Sequence, residues 1–289
     1  MTSTETNRPT AMRAMTVTKP IAPALPDFTP AQELALLCRC LFVEGYNDHL
    51  AGHITYKQPD GTFLVNPFGL TWDEVTASDI MSMDTDGNEI GGRWTITPAI
   101  TLHVELHRAR GDIGVAIHNH SRWGTVWADI GRAPEIYDQT GALYHGGVAV
   151  YDEYWGSVDD AGNARAVAGA IGDSNVGLLA NHGVVVLGID IEQAYLRAIS
   201  FEWRCRQAWR IAAVGGGVPM NREAARTYGD FFNAHPFTGL FEAMVRRELR
   251  RDPGVLNWPI SMNGRPGHRF SVGQHRNCGE NSPDNMPHD

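Results

Sequence analysis

Two apolar segments that carry histidines decide the fold: Gly114–His120, which reads GVAIHNH, and Leu178–Val186, which reads LLANHGVVV. Short apolar runs rich in valine and isoleucine are typical of buried strands. The second segment is interrupted at Asn181-His182-Gly183, whose residue types predict a tight turn between two strands. On the first strand, His118 and His120 are two residues apart, so both imidazoles project from the same face.

This spacing makes the histidines candidates for a metal site. Two neutral imidazoles that lie so close form half of a site for zinc, iron, manganese or cobalt. A histidine pair alone could equally be two polar residues satisfied by backbone or solvent. A turn inside very apolar sequence has little reason to carry a histidine, however, and His182 is the best-placed third ligand. We therefore predict one divalent metal ion bound by His118, His120 and His182, with zinc favoured and iron, manganese or cobalt compatible.

Working outward, helical and strand-like segments alternate, which predicts an α/β fold with three layers, αβα. Thr29-Pro30-Ala31-Gln32 is a capping box that begins the first helix. We expect a leader over residues 1–28, one domain over residues 29–260, and a flexible tail or intersubunit arm over residues 261–289. The predicted hairpins cover residues 52–65 and 80–90, and the predicted later helices cover residues 97–110, 159–171, 191–214, 222–233 and 239–251.

Composition narrows the class of protein. The chain has 289 residues, of which 43% are hydrophobic, and a formal net charge of −9. The negative charge argues against nucleic acid or an anionic membrane as partner. No apolar run approaches the ~20 residues that span a bilayer, and residues 1–26 lack the apolar core of a secretory signal. The four cysteines have no metal-binding or disulfide-rich spacing, which favours reduced cysteines in a cytoplasmic protein.

Several motifs together resemble one family. Arg110–Ser121 resembles the first signature of class II aldolase/adducin proteins, and Leu179–Gly183 is similar to the second, which supplies the third histidine. Further matches are Asp48–Ile54, Asn66–Gly69 and Gly147–Tyr151, so the resemblance runs from about Pro30 to Gly217 and is closer to the adducin-like branch. It implies a three-layer αβα fold, a small-molecule substrate, and a homo-oligomer, most often a tetramer, with active sites between subunits.

The resemblance also implies roles for particular residues. His103 occupies the position of a helix histidine close to the family's active site and is the candidate catalytic residue. His49 and His53, on either side of a glycine-containing turn, are expected near the pocket. The candidate substrate-binding residues are Asn66, Phe68, Gly69, Thr97 and Ser121.

The chain departs from the sugar-phosphate aldolases at two places. Those enzymes carry a glutamate, the acid/base, one helical turn before the histidine that corresponds to His103, and here that residue is Ala99. Their phosphate pocket corresponds to positions that include Pro67, Phe68 and Pro98, and proline has no N–H to donate. Phe68 with Trp72 would instead suit an apolar or aromatic substrate.

We therefore predict a metal-dependent lyase, of the decarboxylase or aldolase type, acting on a non-phosphorylated keto or hydroxy acid, with aromatic acids among the candidates. Decarboxylation suits the missing glutamate best, because it needs no base to take a proton from carbon. Two alternatives stay open. One is a non-heme iron oxygenase of an aromatic keto acid that uses the same three histidines, and the other is a non-catalytic adducin-like assembly module.

Overall fold

An eight-stranded mixed sheet with helices on both faces forms the fold in the computed structural model, which describes residues 22–153, 159–234 and 239–257. The boundaries predicted for the leader and the tail stay predictions, and residues 261–289 lie outside the described ranges. The strands are β1 (His53–Lys57), β2 (Phe63–Val65), β3 (Met81–Met83), β4 (Glu89–Gly91), β5 (Val115–Asn119), β6 (Val148–Tyr151), β7 (Val176–Leu179) and β8 (Gly183–Gly188).

The helices match most of the predicted segments. Thr29 caps the first helix with a capping box: its hydroxyl accepts from the N–H of Gln32, and the Gln32 side chain accepts from the N–H of Thr29. The helix predicted at residues 97–110 begins with a single 3₁₀ turn, Pro98–Ile100, before it becomes α-helical. The helices are α1 (Pro30–Val43), α2 (Thr101–Ala109), α3 (Gly124–Ile130), α4 (Gln139–Ala142), α5 (Ala161–Ile171), α6 (Ile191–Ala213), α7 (Arg222–Ala234) and α8 (Leu240–Arg251).

The strand order places β5 and β8 side by side near the centre of the sheet, in the sequence β4-β3-β2-β1-β5-β8-β7-β6. All neighbouring strands pair antiparallel except β6 and β7, which are parallel. In the central pairs, His53 on β1 lies directly opposite His118 on β5, and His118 lies opposite Val185 on β8. Directly paired residues share a face of the sheet, so this register brings His53 to the face of the predicted ligands.

Two apolar clusters show that the sheet is covered on both sides. One joins β5 to α1 and α6 and includes Leu37, Ile117 and Phe201, all fully buried. The other joins the opposite face to α2 and α5 and includes Leu106, Ala116 and Val167. Because side chains alternate along β5, Ile117 lies in the first cluster and Ala116 lies in the second, on the same face as His118. The predicted three-layer α/β architecture is confirmed.

Two further properties bear on the sequence predictions. Within the described ranges, no helix is both long enough and apolar enough to cross a membrane. Cys38, Cys40 and Cys205 are buried free thiols, as predicted, and Cys278 lies outside the described residues.

Candidate metal centre

The three predicted ligands lie together. His118, His120 and His182 each offer one ring nitrogen, and these nitrogens lie within 4.8 Å of one another. The ring centroids of His118 and His182 are 4.7 Å apart, and those of His120 and His182 are 5.0 Å apart. His118 is buried, whereas His120 and His182 are partly exposed, so a ligand could approach from that side. The arrangement leaves a common point at which a metal ion could be bound.

The turn between β7 and β8 carries the third histidine, His182. Asn181 has a positive φ of 54°, a left-handed conformation that asparagine tolerates better than most residues. Gly183 begins β8 so close to β5 that a Cβ there would lie 2.7 Å from Cδ2 of His120 and 2.8 Å from the carbonyl oxygen of Asn119. Only glycine fits this approach. The Asn-His-Gly sequence is therefore explained by the need to place His182 against the other two rings.

Hydrogen bonds fix how two of the rings are presented. Nδ1 of His118 lies 3.0 Å from the carbonyl oxygen of Val184, and Nδ1 of His120 lies 2.8 Å from Oδ2 of Asp48. Both partners are acceptors, so each Nδ1 carries the proton and donates it. A neutral imidazole has one N–H, which leaves the lone pair on Nε2 of both rings. Carbonyl or carboxylate partners on the far ring nitrogen are the usual support of metal-binding histidines.

The electrostatic environment keeps the ligands in the form that binds metal. Burial lowers the pKa of His118 well below its ordinary value, and the neighbouring His53, His182 and His120 lower it further. Burial, reinforced by His120, lowers the pKa of His182 to about 4. Burial raises the pKa of Asp48, but hydrogen bonds from His49 and His120 outweigh it, so the pKa is lowered overall. At neutral pH two of the ligands are uncharged and Asp48 is an anion beside the third.

A second set of polar side chains extends from this centre into the protein. The ring of His53 lies 4.8 Å from that of His118, and its Nδ1 is 2.7 Å from Nε2 of His103 on α2. Nδ1 of His103 is 2.7 Å from Oγ1 of Thr55, and the same hydroxyl is 2.8 Å from Nε2 of His107. His103, the predicted catalytic residue, is fully buried and uses both ring nitrogens in these bonds, so it reaches the centre only through His53.

The predicted substrate-binding residues differ in their burial and in their hydrogen bonds. Asn66 is buried, and its amide is bonded to the backbone at Ile54, Gly52 and Pro67. Thr97 is buried and caps the 3₁₀ turn by accepting a hydrogen bond from the N–H of Ala99. Phe68 is 45% exposed, and Gly69 is also exposed.

Ser121 is not brought into the centre. Its hydroxyl is fully buried and donates to Oε2 of Glu202 on α6, which packs on the other side of the sheet from α2. Its hydrogen bond is thus made to α6 and not to the three rings, and a substrate contact at Ser121 stays a prediction.

Sequence reasoning missed Asp48, Thr55 and His107. A periodic signal was present for two of them: Thr55 lies two residues after His53 on β1, and His107 lies one turn after His103 on α2. His49, expected near the pocket, has an almost wholly exposed side chain that bonds to Asp48.

The chain matches one protein family and is similar to several known proteins. The model of the class II aldolase and adducin N-terminal domain matches residues 32–209. An adducin-related protein of Schizosaccharomyces pombe is 32% identical over 58% of this chain and 55% of its own length, so the chain spans about half of that relative. A 4-hydroxy-3-prenylphenylpyruvate oxygenase/4-hydroxy-3-prenylbenzoate synthase of Streptomyces roseochromogenus is 29% identical over 72% of this chain and 77% of its own.

A decarboxylase and a solved aldolase are also similar. The 3,4-dihydroxyphthalate decarboxylase of Arthrobacter keyseri is 33% identical over 65% of this chain and 80% of its own. The structure of L-fuculose 1-phosphate aldolase from Glaciozyma antarctica has a TM-score of 0.64 and 25% identity, covering 78% of this chain and 96% of that one. The family match includes all three histidines and all eight strands described above. The chain belongs to the class II aldolase and adducin family.

Proposed function

We propose that the protein is a metal-dependent lyase that acts on a non-phosphorylated keto or hydroxy acid, with aromatic acids favoured as substrates. The observation that carries the proposal is the convergence of three imidazoles, two of which have Nδ1 committed to acceptors and Nε2 left as a lone pair. This donor set fits a divalent metal. Three histidine ligands leave open coordination positions, as in catalytic rather than structural sites.

A bound divalent ion would act as a Lewis acid that polarises a chelating carboxylate and its neighbouring oxygen and stabilises enolate-like charge. Zinc is the metal we favour, because a three-histidine set with open positions is typical of catalytic zinc. The chain's own residues hold two of the rings at a fixed tautomer, His118 through the carbonyl of Val184 and His120 through Asp48.

The choice of reaction depends on what the centre lacks. Ala99 cannot move a proton, and it packs against the apolar cluster of α2 and α5. A decarboxylation breaks the bond to the carboxylate carbon without a base that removes a proton from carbon, so it tolerates this alanine. Pro67 and Pro98 provide no N–H for a phosphate. These features argue against sugar phosphates as substrates.

A second candidate function is iron-dependent oxygenation of an aromatic keto acid. The similarity to the prenylphenylpyruvate oxygenase, which extends over 72% of this chain, favours it, and three histidines also suit iron. A non-catalytic assembly module is less favoured because all three ligand positions are retained. We also propose a homotetramer with the centre at a subunit boundary, and a cytoplasmic location.

The test is to load the purified protein with zinc or with ferrous iron and assay aromatic keto and hydroxy acids beside fuculose and rhamnulose phosphates. Conversion of carboxylic acids alone is expected, and the metal that restores it separates lyase from oxygenase. His182→Ala should abolish conversion, whereas Asp129→Asn, at an exposed position on α3, should not. Turnover of a sugar phosphate at ordinary enzyme rates, lost in His182→Ala, would overturn the proposal.

A further inference from the structure

A cavity of about 430 Å³ lies where the start of β6 and the start of α7 meet α6. Its charged lining consists of three arginines, one histidine and one carboxylate, which are Arg204, Arg222, Arg226, His145 and Glu135. The whole chain has a formal net charge of −9, so this cavity reverses the overall sign locally. A volume of this size suits a small organic molecule. The lining favours a ligand that is an anion.

The cavity and the metal centre lie at opposite ends of the sheet. β6 and β7 run parallel, and Val148 at the start of β6 pairs with Val176 at the start of β7. Val148 lines the cavity, whereas His182 follows the end of β7. β7 has four residues, so its length alone sets the two places roughly 13 Å apart at about 3.3 Å per residue. The cavity is therefore separate from the three-histidine centre.

Arg204 on α6 makes no ion pair with a carboxylate of the described residues, although it is only 9% exposed. Its Nε and Nη2 donate to the carbonyl oxygen of Pro134 at 2.9 and 2.5 Å, and its Nη1 donates to that of Tyr144 at 3.4 Å. A guanidinium has five N–H groups, so two of them remain. Burial lowers the pKa of Arg204. A buried charge is costly unless it is paired, and an anion in the cavity would supply the partner.

Other donors in the lining also lack a partner. Arg222, at the start of α7, makes no ion pair or side-chain hydrogen bond within the described ranges, whereas Arg226 pairs with Asp230 at 3.4 Å. The backbone N–H groups of Gly146 and Gly147, in the loop before β6, donate to no described residue. Guanidinium groups and successive backbone N–H groups are donors that bind phosphate and carboxylate in proteins. The unused donors of α6, α7 and this loop all line one cavity.

Close packing fixes the two sides of the cavity relative to each other. A Cβ at Gly229 on α7 would lie 2.1 Å from Cδ2 of His145 and 2.5 Å from the carbonyl oxygen of Ala142, so only glycine fits there. Before α7, the N–H of Met220 donates to the carbonyl oxygen of Ile136 at 2.7 Å. Donors that are already held in place lose little freedom when a ligand binds, which favours binding.

We propose that this cavity binds a small dianion, a molecule with a phosphate group or with two carboxylates, between the guanidinium groups of Arg204 and Arg222. The N–H groups of Gly146 and Gly147 donate to the same ligand. A ligand with a single negative charge would leave one of the two unpaired guanidinium groups without a partner. The inference goes beyond the proposed lyase function and does not depend on the reaction at the metal centre.

Isothermal titration calorimetry of the zinc-loaded protein tests the site, with inorganic phosphate in one arm and malonate in the other. We expect one dianion per chain, and the arm with the lower dissociation constant identifies the ligand as a phosphate or a dicarboxylate. Arg222→Gln should raise that constant about 10-fold or more, because it removes a hydrogen bond between charged groups. Arg210→Gln, at an exposed position on α6 outside the cavity, is the matched control and should bind like the parent.

Three results would overturn the proposal. One is that neither dianion saturates the protein by about 10 mM, ten times a millimolar dissociation constant. Another is equal weakening in Arg222→Gln and Arg210→Gln, which would show general charge attraction. The third is loss of binding in His182→Ala, which would place the anion on the metal. The backbone amide resonances of Gly146 and Gly147 locate the ligand independently: they should shift during titration with the tighter dianion, and stationary resonances would also reject the site.

Discussion

The hydrogen bond between Asp48 and His120 offers a direct test of how the metal centre is built. Oδ2 of Asp48 accepts from Nδ1 of His120 at 2.8 Å, and the two side chains are 36% and 29% exposed. Asp48→Asn keeps the size of the side chain but removes the charge that holds the proton on Nδ1. Loss of such a supporting group typically weakens metal binding by about 10–100-fold. Because solvent reaches the pair, we expect the lower end, about 10-fold, or about 1.4 kcal/mol.

Two measurements check this value. Competition with a chromophoric chelator gives the zinc dissociation constant of the parent and of Asp48→Asn. Thermal or urea unfolding gives the same information independently, because zinc at 100 times the parent's Kd should stabilise the parent by about 2.7 kcal/mol and the variant by about 1.4 kcal/mol. Asp129→Asn, an exposed aspartate on α3, is the matched control. Parent-like affinity in Asp48→Asn, together with loss of binding in His120→Ala, would refute the argument.

Three further outcomes are expected. Burial lowers the pKa of His107 to about 4, below the ~6.5 of the unfolded chain, so its contribution to stability falls as pH drops below 6.5 and levels off below 4. At pH 5, His107→Asn should therefore flatten the pH dependence of the unfolding free energy by about 1.2 kcal/mol per pH unit in chemical denaturation. Glu202→Gln should lower the free energy of unfolding in urea by roughly 1–3 kcal/mol. The amide N–H₂ of the glutamine would face a hydrogen-bond donor, either the Ser121 hydroxyl or the N–H of Trp123. Light scattering should give about four times the 31.8 kDa chain mass at micromolar concentration, and a monomer there would contradict the proposed tetramer.

Much of the fold could be predicted from local sequence signals. The capping box at Thr29 and the Gly-Gly-Gly sequence after α6 set helix limits, and the apolar runs around His118 and His182 identify central strands. Each of these signals acts over a few residues, so no tertiary information is needed to interpret it. The short helices α3 and α4 were not predicted, because neither shows a full helical period of apolar residues.

The site was harder to predict where it depends on strand pairing. Asp48 precedes β1 and reaches His120 only because β1 lies beside β5. No local sequence pattern predicts that these two strands are neighbours. Ser121 shows the opposite problem. A serine next to two of the ligands suggests a contact in the centre, but its hydroxyl donates to Glu202 on α6. No local pattern predicts that hydrogen bond, and the substrate contact suggested by the family resemblance stays a prediction.

The placement of polar groups on α2 bears on which chemistry the centre can perform. The aldolase-like position at the start of this helix is Ala99, an apolar residue in contact with the α2–α5 cluster. One and two turns further along, His103 and His107 face β1 and bond to His53 and Thr55. The polar side chains of this helix therefore lie beside β1, on which His53 is directly opposite His118. The position from which a glutamate would remove a proton from carbon is apolar. This arrangement suits the decarboxylation proposed above, because that reaction has no C–H proton to remove.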